Sequence, residues 1–244
     1  MKVLPILFSY NDVKDMYPNL NGFYSFLKRS LKKGNIKQIK KGLYALVDQS
    51  TGHIYANKFQ IGSKLFNDSY FSYHDALEYY GLATQSFVSE FTYLTHVRVN
   101  PMTFEGVTYN SKVSKCDLEI LDNIKENGVR VVSLERAIVD SIDNYHLGGG
   151  LDEVEIALDN CLKLDINKVI SLLEHYDKSF LYQKVGYLFE KHFGNELSSS
   201  FYELCLSKVG RKRMYLDCTP GRTKLISKWN LLIRDIADMP DELL

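Results

Sequence analysis

The chain lacks several features, and each lack excludes a class of protein. No apolar run approaches the roughly 20 residues a helix needs to span a bilayer. The apolar start "VLPILF" lasts six residues and gives way to "SYND". That is too short for a signal-peptide core and carries no small-residue cleavage site, so a cytoplasmic protein is expected. The four cysteines, Cys116, Cys161, Cys205 and Cys218, are scattered and form no CxxC pair. Reduced thiols are expected rather than a disulfide framework. The six histidines (His53, His74, His96, His146, His175, His192) have no partner at metal-ligand spacing. No metal and no other cofactor is therefore expected.

Enzyme signatures are missing in the same way. "GGGLDEVE" is acidic where a phosphate loop would need to hold an anion. Gly62-Ser63 is followed only by Asp68, without the paired aspartates of a nucleotidyltransferase. Asp117 and Glu119 lack the following strand and lysine of a nuclease. A non-enzymatic protein is expected. No internal repeat and no low-complexity tract is present.

Net charge is also missing, since 30 basic residues face 30 acidic ones. The balance hides a division. Residues 1–65 hold eleven Lys or Arg against three Asp, and residues 66–244 hold nineteen against twenty-seven Asp or Glu. Such asymmetry suggests an N-terminal part that meets a polyanion and a C-terminal part that does not. The remaining composition is ordinary for a globular chain of one or two domains, with 45% hydrophobic and 13% aromatic residues.

The positive charge is concentrated further. From Lys28 to Lys41 there are seven cations in fourteen residues and no acid. Phe23, Leu27 and Leu31 are spaced by four, with Phe26 and Ser30 beside them, which predicts a helix from Leu20 to Lys33 with one apolar stripe. Pro18 precedes it, Asn19 or Asn21 can cap it, and Gly34-Asn35 ends it. Then the period changes. "IKQI" and "LYALV" are β-prone, and "KKG" between them supplies a hairpin turn at Gly42. A shorter helix is expected from about Tyr10 to Met16, capped by Ser9 or Asn11, while "KVLPILF" with Pro5 suits a strand. Helix, turn, basic helix and basic hairpin together predict a winged helix-turn-helix that binds double-stranded DNA. Tyr24, Ser25 and Lys28 are the base-edge candidates. Arg29, Lys32, Lys33, Lys37, Lys40 and Lys41 are placed for phosphates.

The remaining sequence predicts a mixed α+β body over residues 66–244. Tyr55 to Phe66 suits a helix or connector. "YFSYHDALEYYGL" predicts a helix capped by Ser72, with Asp75 completing a capping box. Strands are expected at Phe87–Val99, Thr103–Val113 and Val129–Val132, and a helix after Ser133. Helices follow at about 151–162, 165–176, 178–193 and 198–209, and "RMYLD" and "SKWNLLI" suit two closing strands. Glu135, Arg136 and Asp140 form the most prominent polar cluster. Arg136 and Asp140 are i,i+4 on one helix and can pair. Such a cluster serves either as a partly buried anchor or as a functional surface.

Four segments in order resemble one family. The wing "IKQIKKGLYAL", the segment "SYHDALEYYGL", the strand-helix "VRVVSLERAIVD" and the late "YLD…KWNLLI" are similar to the AbiEi-type antitoxins of type IV toxin–antitoxin systems, winged-helix transcriptional regulators. The resemblance spans nearly the whole chain. It implies an N-terminal domain, residues 1–65, that represses its own operon. It further implies a C-terminal domain, residues 66–244, that counters a nucleotidyltransferase-like toxin without a stable complex. Carried over residue by residue, it covers Lys40, Lys41 and Gly42 in the wing and Glu135, Arg136 and Asp140 in the antitoxin domain. The chain departs from the family in its very short or missing first helix, and in "DCTPGRTK" where a fuller proline- and glycine-bearing loop is usual. The alternative expectation is a winged-helix regulator or adaptor with no toxin partner.

Overall fold

The computed structural model describes residues 3–217 and 221–235. The chain divides into two compact units. One joins Met1–Phe71 to Phe87–Val131, and the other joins Ser72–Ser86 to the chain from Val132 onward. The expected boundary at 65/66 does not coincide with this division, because residues on both sides of it share one aromatic core.

In the first unit, β1 (Leu7–Phe8) leads into the short helix α1 (Tyr10–Val13), a 3-10 turn over Lys14–Met16 and α2 (Leu20–Lys32). The hairpin of β2 (Ile36–Lys40) and β3 (Leu43–Leu46) follows. β3 is central, with Phe8 opposite Tyr44 on one side and Lys37 opposite Ala45 on the other. Asn19 caps α2, accepting a bond from the Gly22 amide at 2.9 Å. Gly34, at φ 72°, turns the chain out of the helix. Phe8, Val13, Phe23, Leu27, Ile36 and Tyr44 form the buried core here, flanked by half-buried Tyr10, Met16, Tyr17 and Phe26. The stripe of α2 runs Phe23, Leu27, Ser30. Leu31, expected in it, is 39% exposed. At 100° per residue, a core centred on the 23–27–30 line leaves position 31 at its edge.

Next comes α3 (Lys58–Lys64), whose ends of a reciprocal capping box are Asn57 and Gln60, bonded at 2.9 and 3.1 Å. β4 (Tyr70–Phe71) follows, and the chain then passes through α4 (Tyr73–Tyr79), a helix of the second unit. It returns as β5 (Glu90–Thr95), β6 (Met102–Phe104), β7 (Val107–Val113), β8 (Ile120–Asn123) and β9 (Val129–Val132). The sheet order is β6-β7-β5-β4-β9-β8. β5 runs parallel to β7, from Glu90 opposite Thr108 to Thr95 opposite Val113. The single strand expected over Thr103–Val113 is a hairpin instead. Glu105 (φ 47°) and Gly106 (φ 84°) are both left-handed, as a two-residue turn between right-twisted strands requires. Phe59 of α3 lies 5.4 Å from Phe71 and 5.9 Å from Phe91. A Cβ on Gly62 would sit 2.0 Å from the Phe91 ring, so the glycine permits this close approach. The Ser63 hydroxyl donates to the Phe59 carbonyl and accepts from the Arg130 amide at 2.9 Å. The Gly62-Ser63 pair thus serves packing between helix and sheet.

In the second unit, α5 (Leu134–Asp143) is buried from Glu135 to Ile142 and packs against α4, α6 (Leu151–Asp159), α7 (Ile166–Tyr176) and α8 (Ser179–Phe193). α9 (Ser199–Ser207) lies against α8. Three short strands close the unit: β10 (Met214–Tyr215), β11 (Thr223–Ile226) and β12 (Leu231–Arg234), in the order β10-β12-β11. β11 was not expected, because "TKLI" is short and largely exposed. Trp229, the one tryptophan, is fully buried against Gly186 of α8. Among the described residues the fold is therefore mixed α+β, with nine α-helices and three sheets. No described helix is long and apolar enough to cross a membrane. Cys116, Cys161 and Cys205 are free and buried, and burial pushes the Cys205 thiol up to about 12. Cys218 and most of the "CTPG" turn lie outside the described residues.

Candidate nucleic-acid interface

The N-terminal core decides which face of α2 meets solvent. With Phe23, Leu27 and Ser30 turned inward, Tyr24, Ser25, Lys28, Arg29, Lys32 and Lys33 are all exposed. Tyr24 is 56% exposed, so it is not a packing residue of the core. Arg29 and Lys32 lie in the last turn of the helix, where the negative end of the helix dipole favours cations. Lys41 and Gly42 make the two-residue turn between β2 and β3, and Gly42 takes φ 85°. Lys41 is exposed at this tip.

The structure withdraws two of the nine candidates. Lys37 donates to the Gly52 carbonyl at 3.0 Å and forms an ion pair with Glu105. Its charge is matched from within the protein. Lys40 points into the body instead of outward. Its ammonium donates to the Leu65 carbonyl and sits 3.8 Å over the centre of the Phe66 ring. Burial pushes the Lys40 ammonium below its ordinary value. An irregularity in register between Gln38 and Lys40 accompanies this inward turn. Sequence reasoning had no signal for either outcome, because Glu105 and Leu65 are 68 and 25 residues away along the chain. The outward set is thus Tyr24, Ser25, Lys28, Arg29, Lys32, Lys33 and Lys41.

In the second unit, Glu135, Arg136 and Asp140 are brought together, but not on the surface. Arg136 is 0% exposed, and its Nε lies 3.3 Å from Asp140 Oδ2. Asp140 also accepts the Ser72 hydroxyl at 2.6 Å and the Tyr176 hydroxyl at 2.5 Å. Burial raises the Asp140 carboxyl above the usual range, outweighing Arg136 and the two hydroxyls. Glu135 accepts the Asp165 amide at 3.0 Å, next to the start of α7. The cluster therefore fastens α4 and α7 to α5. Ser72 stands at the head of α4, yet its hydroxyl goes to Asp140 and makes no cap, so the expected capping box is absent. A surface role for the three residues is corrected by their burial. Among the described residues no group of three or more His, Cys, Asp or Glu side chains is placed to hold a metal ion.

Comparison with known proteins bears on the fold. No family model and no curated protein matches the chain. Among solved structures, it is similar to the crystal structure of RV2827C protein from Mycobacterium tuberculosis. The TM-score is 0.61 at 12% sequence identity, over 94% of this chain and 86% of that one. At this identity the likeness is one of fold.

Proposed function

We propose that the chain is a DNA-binding antitoxin that represses its own operon, acting in the cytoplasm without catalysis or cofactor. In this reading β1, α1, the 3-10 turn, α2 and the β2–β3 hairpin are a winged helix-turn-helix. α2 enters the major groove and Lys41 meets the backbone from the wing. One observation carries the reading. The only face of α2 left free by its own core presents Lys28, Arg29, Lys32 and Lys33 beside Tyr24 and Ser25. A helix fits the major groove, Lys can reach guanine O6 and N7, and the other cations pair with phosphates. The antitoxin half, directed at a nucleotidyltransferase-like toxin without a stable complex, is supported by the resemblance of the four sequence segments.

The test is a salt titration of the full chain on duplex DNA. Four outward cations (Arg29, Lys32, Lys33 and Lys41) on phosphates give a slope of log K against log salt of about −3 to −4. A slope near zero refutes DNA binding. The second reading, a winged-helix regulator with no toxin partner, is favoured by the burial of Glu135, Arg136 and Asp140, which takes the residue-level antitoxin candidates off the surface. A chain that binds its operator but gives no protection when co-expressed with a neighbouring nucleotidyltransferase-like protein selects this second reading.

A further inference from the structure

Beside the turn of the β2–β3 hairpin lies a cleft of about 560 Å³. Five separate segments line it: Ser9 with Asn11 and Asp12 of α1, the hairpin turn with Lys40 and Lys41, the end of α3 with Lys64 to Asn67, Ile124, and Arg130 of β9. It holds four cations and one carboxylate. Two of the cations are matched. Lys64 pairs with Asp12 at 3.1 Å, and Arg130 with Asp122, outside the cleft, at 2.9 Å. Ser9 also donates to Asp12 through its amide and hydroxyl, at 2.7 and 2.8 Å. All three of these contacts fall on one oxygen of Asp12, Oδ2.

Lys40 and Lys41 are different. Among the described residues neither ammonium meets a carboxylate. Lys40 is nonetheless drawn in, held by one carbonyl and one aromatic ring. Withdrawing a cation from water without an anion costs stability, and the fold gains no ion pair in return. Exposed neighbours add unused donors, since the Asn11 and Asn67 carboxamides make no hydrogen bond among the described residues. Two unmatched ammonium groups call for two negative charges. A carboxylate supplies one, whereas a phosphate monoester supplies close to two, with three acceptor oxygens. The volume lies within the range of small-molecule sites and exceeds that of a bare phosphate.

We propose that this cleft binds a small phosphorylated molecule, whose phosphate oxygens take the ammonium groups of Lys40 and Lys41 and the carboxamides of Asn11 and Asn67. Lys41 is also assigned to DNA above. Ligand in the cleft and DNA at the wing then compete for that residue, which makes the hairpin turn the point where a metabolite changes DNA affinity.

The measurement uses no DNA, so its failure is separate from failure of the DNA reading. Inorganic phosphate and pyrophosphate are titrated into the full chain at constant ionic strength set with chloride. Binding is followed by calorimetry, and the side-chain resonances of Lys40 are followed by NMR. Saturable binding is expected, with the Lys40 titration moving to higher pH when pyrophosphate is bound. Lys41→Ala and Lys40→Met, which keeps the aliphatic stem over Phe66, should each weaken pyrophosphate by about tenfold or more. Lys208→Ala, exposed in the second unit, should leave it unchanged. If Lys40→Met does not fold, the exposed Lys41→Ala decides alone. The proposal is overturned if neither probe binds, or if Lys208→Ala weakens binding as much as Lys41→Ala. It is equally overturned if the probes bind and Lys41→Ala leaves their affinity unchanged.

Discussion

Replacing Arg136 with alanine tests the anchoring of the second unit. The guanidinium is 0% exposed and supplies the cation next to Asp140, at 3.3 Å. Without it, Asp140 keeps the Ser72 and Tyr176 hydroxyls at 2.6 and 2.5 Å, but its charge is left buried and uncompensated. Removing one partner of a buried pair costs about 3 to 5 kcal/mol. The pH dependence has a definite sign. The folded Asp140 carboxyl already lies above its unfolded value. Its ionisation therefore lowers stability as pH rises from the unfolded to the folded value, and the effect levels off beyond that. Losing Arg136 raises the folded value further, so in the variant the decline continues to higher pH. The deficit of Arg136→Ala should be largest near neutrality and shrink as pH falls toward the ordinary carboxylate range. Urea melts at pH 7 and pH 5 read this directly, with Trp229, buried in the same unit, as the fluorescent probe. A cost below about 1 kcal/mol at pH 7 would show that the pair is not a buried anchor. A large cost identical at both pH values would assign the loss to packing and refute the electrostatic account.

Lys28→Ala should weaken operator DNA about tenfold and relax preference at one base position, whereas Lys41→Ala should weaken operator and random duplex alike and reduce the salt slope by about 1. Lys40→Ala should leave the slope unchanged, since that ammonium is turned into the protein; a slope change equal to that of Lys41→Ala would contradict its placement. Gly186→Ala puts a Cβ 2.2 Å from the Trp229 ring and should destabilise by about 1 to 3 kcal/mol, visible as a lower midpoint in the same fluorescence melts. His192 bonds Asp159 at 2.6 Å and lies 3.9 Å from Glu155, and these two carboxylates, Glu155 foremost, raise its value against the effect of burial. That link between α6 and α8 is fully present below about pH 6.5 and is lost as pH rises through the folded value. Melting temperatures between pH 6 and 8 should fall more steeply for the native chain than for His192→Gln, and parallel curves would refute the link.

The local grammar of the chain was legible in its residues. Asn19 and Gly34 bound α2 because cap and left-handed exit are decided within a few residues of the helix end. The "KKG" turn follows from Gly42, and the Arg136–Asp140 pair from i,i+4 spacing on one helix. Even the outward face of α2 could be drawn, since a stripe of Phe23 and Leu27 leaves the cations on the other side. Short or polar strands escaped. β8 and β11 carry little apolar alternation, and Glu105-Gly106 interrupts a run whose side chains otherwise suit one continuous strand.

Tertiary structure alone decided which lysines are outward. Lys37, Lys40 and Lys41 are alike in sequence, yet Glu105 takes the first, Leu65 and Phe66 take the second, and only the third is left at the tip. It likewise turned Ser72 from a cap into a ligand of Asp140, and it gathered Asn11, Lys40, Asn67 and Arg130 around one cleft. The physical reason is the same in each case. Helix faces and turns are set by dihedral preferences and period, which are properties of neighbouring residues. The fate of a long charged side chain is set by whichever partner the fold brings within about 4 Å, and that partner lies tens of residues away along the chain.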